Sequence, residues 1–536
     1  MAKDYVIALN RVDGYERAMS FEQVVLLSVP SWPAIAGLYP SRGARAASVL
    51  TCTALALSTL AAATLCFFAF WGHGSFALRL VFDESLALGF MADRVSAALS
   101  LLITSLGWCV LRFSTRYLAG DAQHSWFLRR VSLTLAAVTS LCLVGDLVAL
   151  LAAWVSMSLL LHGLLVHYPE RPQALRAAKV KFVFSRLAES CLLGACVVLY
   201  QRLGTLQLPE LMARAAEAPA GTLVLPSLLL VGCAFLKSAQ FPFHSWLPDT
   251  METPTPVSAL MHAGIINAGG FLMIRFSPVI VQARAAMNVL VLGGVFTAFF
   301  GAVVMLTQPS VKRCLAYSTI AQMGFMLLEC GLGLFGLALV HILAHSVYKA
   351  SAFLRAGTAV TAAPRGLVPL KTPALVAGSL AAVALVAGVA RLFSLPADGG
   401  SLVMGLLVAC SLAYALARHW SVSRGAGTYG GLAAAGAFAL LAGATHLGSE
   451  HLLPGLRFGS ASPVAAGVAS AALLGLFSVQ AFLWRSPGSP VGRALYVHAL
   501  NGFYIGALTS RLLARCWPAP ALEQVTTVEV SALERG

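Results

Sequence analysis

The chain has 536 residues, of which 59% are hydrophobic and only 11% charged, with a mean hydropathy of +0.82 and a formal net charge of +15. Soluble domains carry about 25% charged residues, so a lipid bilayer is needed to solvate this much apolar surface. The composition argues against a soluble enzyme, a nucleic-acid-binding protein and a secreted disulfide scaffold, and the long unbroken apolar runs argue against a porin.

The first part of the chain, residues 1–23, is a polar N-terminal segment without an apolar core, so we expect no cleavable signal peptide. Apolar stretches of spanning length then follow one another almost without a break, which predicts an all-α polytopic membrane protein with about fifteen or sixteen transmembrane helices. The predicted spans are 24–40, 49–71, 95–112, 131–144, 147–167, 182–200, 223–241, 257–276, 287–307, 313–330, 332–354, 374–395, 401–417, 430–447 and 463–484, with a weaker one at 497–514. We divide the chain into N-terminal helices 24–130, a core 131–360, C-terminal helices 361–516 and a polar tail 517–536.

Basic connections alternate with neutral or acidic ones along these spans. The connections after the first and third spans are rich in arginine, whereas the second mixes acidic and basic residues. The positive-inside rule then places the odd-numbered connections in the cytoplasm and the N-terminus in the periplasm. We therefore expect a multi-pass membrane protein with its N-terminus on the side away from the cytoplasm.

Several ionisable side chains lie inside the predicted spans, where a lysine costs roughly 2.5–3.5 kcal/mol on insertion scales and usually faces a bundle interior or a hydrated pathway. Lys237 comes just before Pro242, where a helix must bend or break because proline has no backbone N–H. His341, His345 and Lys349 are spaced i, i+4, i+8 and so share one helix face. Histidine titrates near neutral pH, so such a file can pass protons between side chains and water.

Other ionisable residues allow two interpretations. His262, in the span after Pro254, is either part of a proton relay or a hydrogen-bonded packing residue. Lys179, Lys181 and Lys312 lie near helix starts, where a basic anchor at the membrane surface is an equally good explanation.

The segment LKSAQFPFHSWLPDTMETPTPVSALMHAG, residues 236–264, resembles the signature of the proton-translocating antiporter-like subunits. These subunits occur in respiratory complex I, multisubunit cation/proton antiporters and membrane-bound hydrogenases, and the resemblance continues at 311–326 and 341–357. It implies two inverted five-helix repeats, each with a broken helix, and a chain of Lys, His and Glu along the membrane midplane. Carried onto this sequence, the ion-pathway residues are Lys237, His262, Lys312, His341, His345 and Lys349.

The sequence departs from this family at the fifth helix. The family has Trp-Glu there, but Val155 stands where the glutamate is expected, so Lys237 loses its usual counter-ion. His162, seven residues further on and therefore about two turns away, is a weaker candidate for the pathway.

Two further positions of the family pattern are also altered, the lysine of the sixth helix and the terminal midplane residue. Lys179 and Lys181 both lie near the place of the sixth-helix lysine, and the sequence does not choose between them. After Lys371 there is no clear equivalent of the terminal midplane residue, and Arg391 is only a weak candidate. Beyond the last predicted span we expect no counterpart of the long C-terminal arm of the largest complex I subunit.

Two stretches resemble a narrower group, the DabB family of membrane subunits from two-component inorganic-carbon accumulation complexes. They are residues 244–278, with Asn267 and Arg275, and Tyr496 to Leu508, which is followed by an arginine-rich helix and Trp517-Pro518. This resemblance implies a large soluble DabA-type partner, with a zinc site similar to that of β-carbonic anhydrases, that hydrates CO2 to bicarbonate. The chain itself would be a transport and energy-coupling subunit that supplies the ion gradient, and we expect no enzyme activity in it.

The chain has no flavin, quinone or iron–sulfur motif, and its eleven scattered cysteines include no CxxC pair. We therefore expect no cofactor or metal in this chain, and zinc only in the partner. A proton-pumping subunit of complex I, of a membrane hydrogenase or of a cation/proton antiporter is the alternative function, and a purely structural membrane anchor is a third. The sequence leaves open whether the ion is H+ or Na+.

Overall fold

The computed structural model describes residues 6–8, 19–41, 43–72, 75–83, 86–357, 370–422, 427–452, 462–486 and 488–516. The first helices are α1 (Phe21–Leu38), α2 (Ala44–Trp71), α3 (Arg94–Tyr117), α4 (His124–Cys142), α5 (Leu147–Leu165), α6 (Pro172–Leu203), α7 (Leu208–Glu217), α8 (Val224–Lys237), α9 (Trp246–Asp249), α10 (Thr255–Ala263), α11 (Ala268–Arg275) and α12 (Ser277–Ile280). The remaining helices are α13 (Arg284–Met305), α14 (Val311–Gly331), α15 (Phe335–Leu354), α16 (Thr372–Leu392), α17 (Gly399–Val422), α18 (Gly427–Leu452), α19 (Pro463–Arg485), α20 (Pro490–Leu500) and α21 (Ile505–Cys516).

The predicted all-α polytopic membrane fold is confirmed. With α10 and α11 counted as one interrupted span, 12 helices of the described residues are long and apolar enough to cross a membrane. The other three of the fifteen stronger predicted spans fold as α4, α8 and α14, and the weaker one is divided between α20 and α21. Of these three, α8 has only 14 residues.

Helix ends differ most from the prediction where basic residues lie. Helix α6 begins at Pro172, ten residues before the predicted span 182–200, and α4 begins at His124 rather than at 131. Hydropathy marks only the apolar part of a helix, whereas the backbone hydrogen bonds continue through the polar turns at its ends. The longer α6 matters for the site because Lys181, which lies before the predicted span, is a buried residue of this helix.

A small sheet was not predicted. Strand β1 (Val6–Ala8) pairs in parallel with β2 (Phe76–Asp83), which pairs antiparallel with β3 (Leu86–Ala92). The backbone of β3 is tied to the helices, because the Met91 N–H donates to the Leu143 carbonyl at 2.8 Å. Strand β1 lies in the segment predicted as polar, most of which is outside the described residues, as are Trp517-Pro518 and the rest of the tail.

The interrupted span α10–α11 lies at the centre of the bundle, in contact with α3, α8, α14 and α15. Of the most apolar 18 residues of the span Thr255–Arg275, 94% are buried, against 11% for Thr372–Leu392. Asn267 holds the interruption in place, because its amide donates to the Ala263 carbonyl and, at 2.8 Å, to the Ser346 hydroxyl on α15. Polar backbone in the core is thus enclosed by protein, as a bilayer requires.

Helices α13 and α14 approach each other very closely. A Cβ added at Gly294 would lie 2.7 Å from the Gly324 carbonyl oxygen, so only glycine fits at this crossing. This contact fixes the face that α14 presents to its other neighbour, α15.

Candidate functional site

Helix α8 ends at Lys237, and the chain continues without regular structure until α9, so the helix is broken where Pro242 predicts it. The Lys237 side chain is 5% exposed, and its Nζ lies 5.3 Å from the centroid of the Trp154 ring on α5. An ammonium group is favoured here by the negative end of the helix dipole and by the face of the indole. Among the described residues its Nζ has no hydrogen-bond partner.

Helix α6 brings a second buried lysine to this region. Lys181 is 3% exposed, and its Nζ donates to the backbone carbonyl of Ser158 on α5 at 2.7 Å. Lys179, one of the two lysines that the sequence left open, is only half-buried. The structure therefore places Lys181, and not Lys179, inside the bundle.

A carboxylate that was not predicted, Glu189, lies beside these lysines. We call Lys181, Arg186, Glu189 and Lys237 the first cluster. The Arg186 guanidinium donates to Glu189 Oε1 at 2.7 Å and to the Ser158 hydroxyl at 3.5 Å. Glu189 lies within electrostatic range of both Lys181 and Lys237. The signal was present in the sequence, because Lys181 and Glu189 are spaced i, i+8 and so share one face of α6.

The space inside the first cluster is small. A gap of about 10 Å³ between Lys181 and Lys237 is lined also by Trp246 and is at the lower limit for a single water molecule. His162 lies one turn beyond Ser158 on α5, with its ring centroid 5.3 Å from that of Phe182. It therefore lies beside the α5–α6 contact that holds Lys181.

A second cluster forms on α14 and α15. The His341 Nδ1 lies 3.0 Å from a carboxylate oxygen of Glu329, and its Nε2 lies 2.9 Å from the Gln322 side-chain oxygen. Glu329 was not predicted, because it becomes a partner of His341 only through the packing of α14 on α15. Both ring nitrogens face an oxygen acceptor, which suits a doubly protonated imidazole.

The rest of α15 continues this cluster as the spacing predicts. The His345 ring centroid lies 6.0 Å from that of His341, and the next residue on this face, Lys349, is 0% exposed. The Lys349 Nζ donates to the Leu315 carbonyl on α14 at 3.0 Å. The helix thus carries three ionisable groups in one row, of which His345 and Lys349 are buried and His341 is partly exposed.

His262 reaches the same row from α10. Its Nδ1 lies 3.0 Å from the Thr319 hydroxyl on α14, and its ring stacks on Phe353 with centroids 4.5 Å apart. Thr319 is one turn from Leu315, the acceptor of Lys349, and His262 lies within electrostatic range of that lysine. His262 is therefore both a hydrogen-bonded packing residue and a neighbour of the row.

Two predicted residues lie at the edge of the site. Lys312 is half-buried in the first turn of α14, one turn before Leu315. Arg391 is exposed at the end of α16. Among the residues that the structure describes, no three His, Cys, Asp or Glu side chains are grouped so that they could hold a metal ion.

Comparison with known families matches most of this region. Residues 144–417 match the family described as NADH:quinone oxidoreductase/Mrp antiporter, TM. Residues 81–128 match the N-terminal family of chain 5 of NADH-ubiquinone oxidoreductase, complex I. Both clusters lie within the first match.

Among curated relatives, the "Probable inorganic carbon transporter subunit DabB" of Hydrogenovibrio crunogenus is 43% identical over 271 residues, which is 50% of this chain and 52% of the relative. The DabB2 subunit of Halothiobacillus neapolitanus, also named as a probable inorganic carbon transporter subunit, is 35% identical over 452 residues, 81% of each chain. Chain 5 of the NAD(P)H-quinone oxidoreductase of Synechocystis is 33% identical over 301 residues, 54% of this chain and 44% of the relative. The chain thus spans about half the length of the first relative and four fifths of the second.

Solved structures share the fold. The Mrp complex of Dietzia has a chain that superposes with a TM-score of 0.56 at 22% identity, covering 96% of this chain and 59% of that one. A chain of respiratory complex I from Thermus thermophilus superposes with a TM-score of 0.54 at 20% identity, covering 91% of this chain and 99% of that one.

Proposed function

The chain belongs to the DabB family, within the NADH:quinone oxidoreductase/Mrp antiporter membrane proteins, and on that premise we propose that it conducts protons to drive bicarbonate formation by a soluble partner. It is a multi-pass membrane subunit of the antiporter type. We base this proposal on the row of His341, His345 and Lys349 on α15, in which His341 is paired with Glu329.

The chemistry of this row favours a proton over Na+ as the transported ion. Imidazole and amine nitrogens gain and lose protons, whereas a metal cation next to charged lysine and histidine would be repelled. The Lys349 ammonium has three donors, and within the described part of the chain it makes one hydrogen bond, to the Leu315 carbonyl. An ammonium group with so few hydrogen bonds in the core can pass its proton to a neighbour at a small cost in free energy.

The first cluster supplies the charge that the fifth helix lacks. Glu189, fixed by Arg186, takes the place of the missing carboxylate at Val155 as the anion near Lys237. Lys181 and Lys237 repel each other across the small gap, so protonation of one disfavours protonation of the other. We infer that the lysines of this cluster bind one exchangeable proton and exchange it with the second cluster.

The energy source is the membrane potential, which is worth about 2.3 kcal/mol per charge per 100 mV. Inward proton flow would bias CO2 hydration toward bicarbonate on a DabA-type partner that holds zinc. The basic connections would then face the cytoplasm and the N-terminus the periplasm, in a bacterial inner membrane.

The experiment replaces Lys349 with methionine, which keeps the length of the side chain but removes the exchangeable charge. The complex with the partner should still purify, because burying methionine costs less than burying lysine. It should no longer support growth of a carbonic-anhydrase-deficient bacterial host in air without added CO2. Val347→Met is the matched control, because Val347 lies on the same helix and is 55% exposed, and this variant should support normal growth.

Normal growth of the Lys349→Met strain with an intact complex would contradict the relay and favour a structural anchor. A chain that pumps protons for a redox complex would instead co-purify with quinone oxidoreductase subunits, and deletion of the DabA-type partner would not alter its proton transport.

A further inference from the structure

A cavity of about 420 Å³ lies between α13, α14, α17 and α19 and reaches the Glu329–His341 pair. One water molecule occupies about 30 Å³ of liquid, so the cavity has room for on the order of ten waters. Its polar lining residues are Ser318, Gln322, Glu329, His341, Ser411, Tyr414 and Gln480.

Two observations indicate a polar occupant. Tyr414 lines the cavity, and its hydroxyl is buried without a hydrogen-bond partner among the described residues. A buried unsatisfied hydroxyl costs about 1–3 kcal/mol, so a water molecule that reaches it would be stabilising. Glu329, whose side chain is only 5% exposed, lines the cavity together with its partner His341.

The second half of the core has no buried cation at the end of α16 that would correspond to Lys237 at the end of α8. Helix α16 ends at Leu392, which is 68% exposed, and the neighbouring Arg391 is exposed as well. Neither residue is a buried cation comparable to Lys237. A proton that enters the second repeat therefore needs a different first acceptor.

We propose that this cavity is a hydrated proton entrance whose first acceptor is the Glu329–His341 pair. This inference rests on the proposed proton conduction and specifies where water meets the row on α15. An O–H bond of a hydronium ion in the cavity breaks as an O–H bond forms on the Glu329 carboxylate. The protonated His341 then releases a proton through a water to His345 and regains one from Glu329, so the pair returns to its starting state.

The first test uses Cys410, a native residue that lines the cavity. In the complex with its partner, the other cysteines are replaced by serine and one cysteine at a time is restored. The probe is the charged, water-soluble reagent methanethiosulfonate ethyltrimethylammonium, applied to membranes. Because the thiolate is the reacting form and needs water, Cys410 should react about tenfold faster than the control Cys330, which is buried on α14.

The second test measures proton uptake by the reconstituted wild-type complex before and after the same treatment. Modification of Cys410 should block the entrance and lower uptake, and a Cys410→Ser complex should be protected. Glu329→Gln, which keeps the shape of the side chain, should lower uptake by on the order of tenfold or more, and Glu329→Asp should restore part of it.

The outcomes separate the two proposals. If the wild-type complex takes up protons but neither Glu329→Gln nor the modification of Cys410 changes the rate, the entrance is wrong and proton conduction stands. If Cys410 reacts no faster than Cys330, the cavity is dry or filled by lipid and the entrance is also wrong. If the wild-type complex takes up no protons under an imposed potential, the proposed function fails and the entrance fails with it.

Discussion

The two halves of the core hold their buried lysines in the same way. Lys181 on α6 donates to the Ser158 carbonyl on the preceding helix at 2.7 Å, and Lys349 on α15 donates to the Leu315 carbonyl on the preceding helix at 3.0 Å. Each half thus places an amine in the bundle interior with a single backbone acceptor on the helix before it. What differs is the carboxylate that accompanies each lysine.

In the first half the carboxylate of Glu189 is paired with Arg186, and in the second half that of Glu329 is paired with His341. A guanidinium group stays charged in proteins, whereas an imidazole exchanges its proton near neutral pH. Arg186 can therefore fix a local charge but cannot pass a proton on, which leaves proton exchange in the first half to its lysines, whereas His341 can do both. The surrounding space agrees with this, since the gap is about 10 Å³ in the first half and the cavity about 420 Å³ in the second.

The ends of α8 and α16 also differ, and here it is the first half that holds the ionisable group. Helix α8 ends at Lys237 and is followed by Ala239 at φ 49°, and α16 ends at Leu392 and is followed by Ser394 at φ 50°. The two turns are alike, but Lys237 is 5% exposed and Leu392 is 68% exposed. The same backbone thus presents a buried cation in one half and an apolar surface in the other. The two halves of the core therefore have different roles in moving charge.

The largest effect should come from making the second pair like the first. His341→Arg keeps a cation beside Glu329 but removes the exchangeable proton, so proton uptake should fall by on the order of a hundredfold. Stopped-flow measurement of lumenal pH in proteoliposomes checks this. The reciprocal change Arg186→His should retain most of the uptake, and wild-type rates in His341→Arg would show that the pair does not carry protons.

The next largest effect should separate the two lysines of α6. Lys181→Gln removes a buried cation and should lower uptake strongly, by about tenfold or more, whereas Lys179→Gln, at a half-buried position, should change it less than about twofold. Growth of a carbonic-anhydrase-deficient host at graded CO2 levels gives the same ranking. Equal losses in both variants would mean that both lysines are anchors.

A smaller effect on proton uptake is expected when Glu189, the anion near Lys237, is neutralised. Glu189→Gln keeps the shape but removes the anion near Lys237, so uptake should fall by about threefold to tenfold. Adding Val155→Glu to this variant restores the carboxylate at the fifth-helix position of the family and should recover most of the rate. Without such recovery, Glu189 would be a partner of Arg186 alone.

The spans and the row on α15 could be predicted from the sequence because hydropathy and helical spacing are properties of single helices. His341, His345 and Lys349 lie on one helix face as their i, i+4, i+8 spacing predicts. Glu329 could not be predicted, because its pairing with His341 depends on how α14 packs against α15, which no local pattern records. Glu189 was not predicted, because it lies among apolar residues of α6, away from the basic residues near the helix start. The sheet was missed because strands of 3 to 8 residues between long apolar helices give a weak signal.

The most direct test of proton conduction along the α15 row is proton uptake by the purified complex in proteoliposomes, driven by a potassium diffusion potential. The wild-type complex should acidify the lumen at a rate that rises with the imposed potential. The Lys349→Met complex, intact and equally reconstituted, should acidify no faster than empty liposomes, while Val347→Met should match the wild type. Equal acidification by Lys349→Met and wild type would contradict proton conduction along the α15 row.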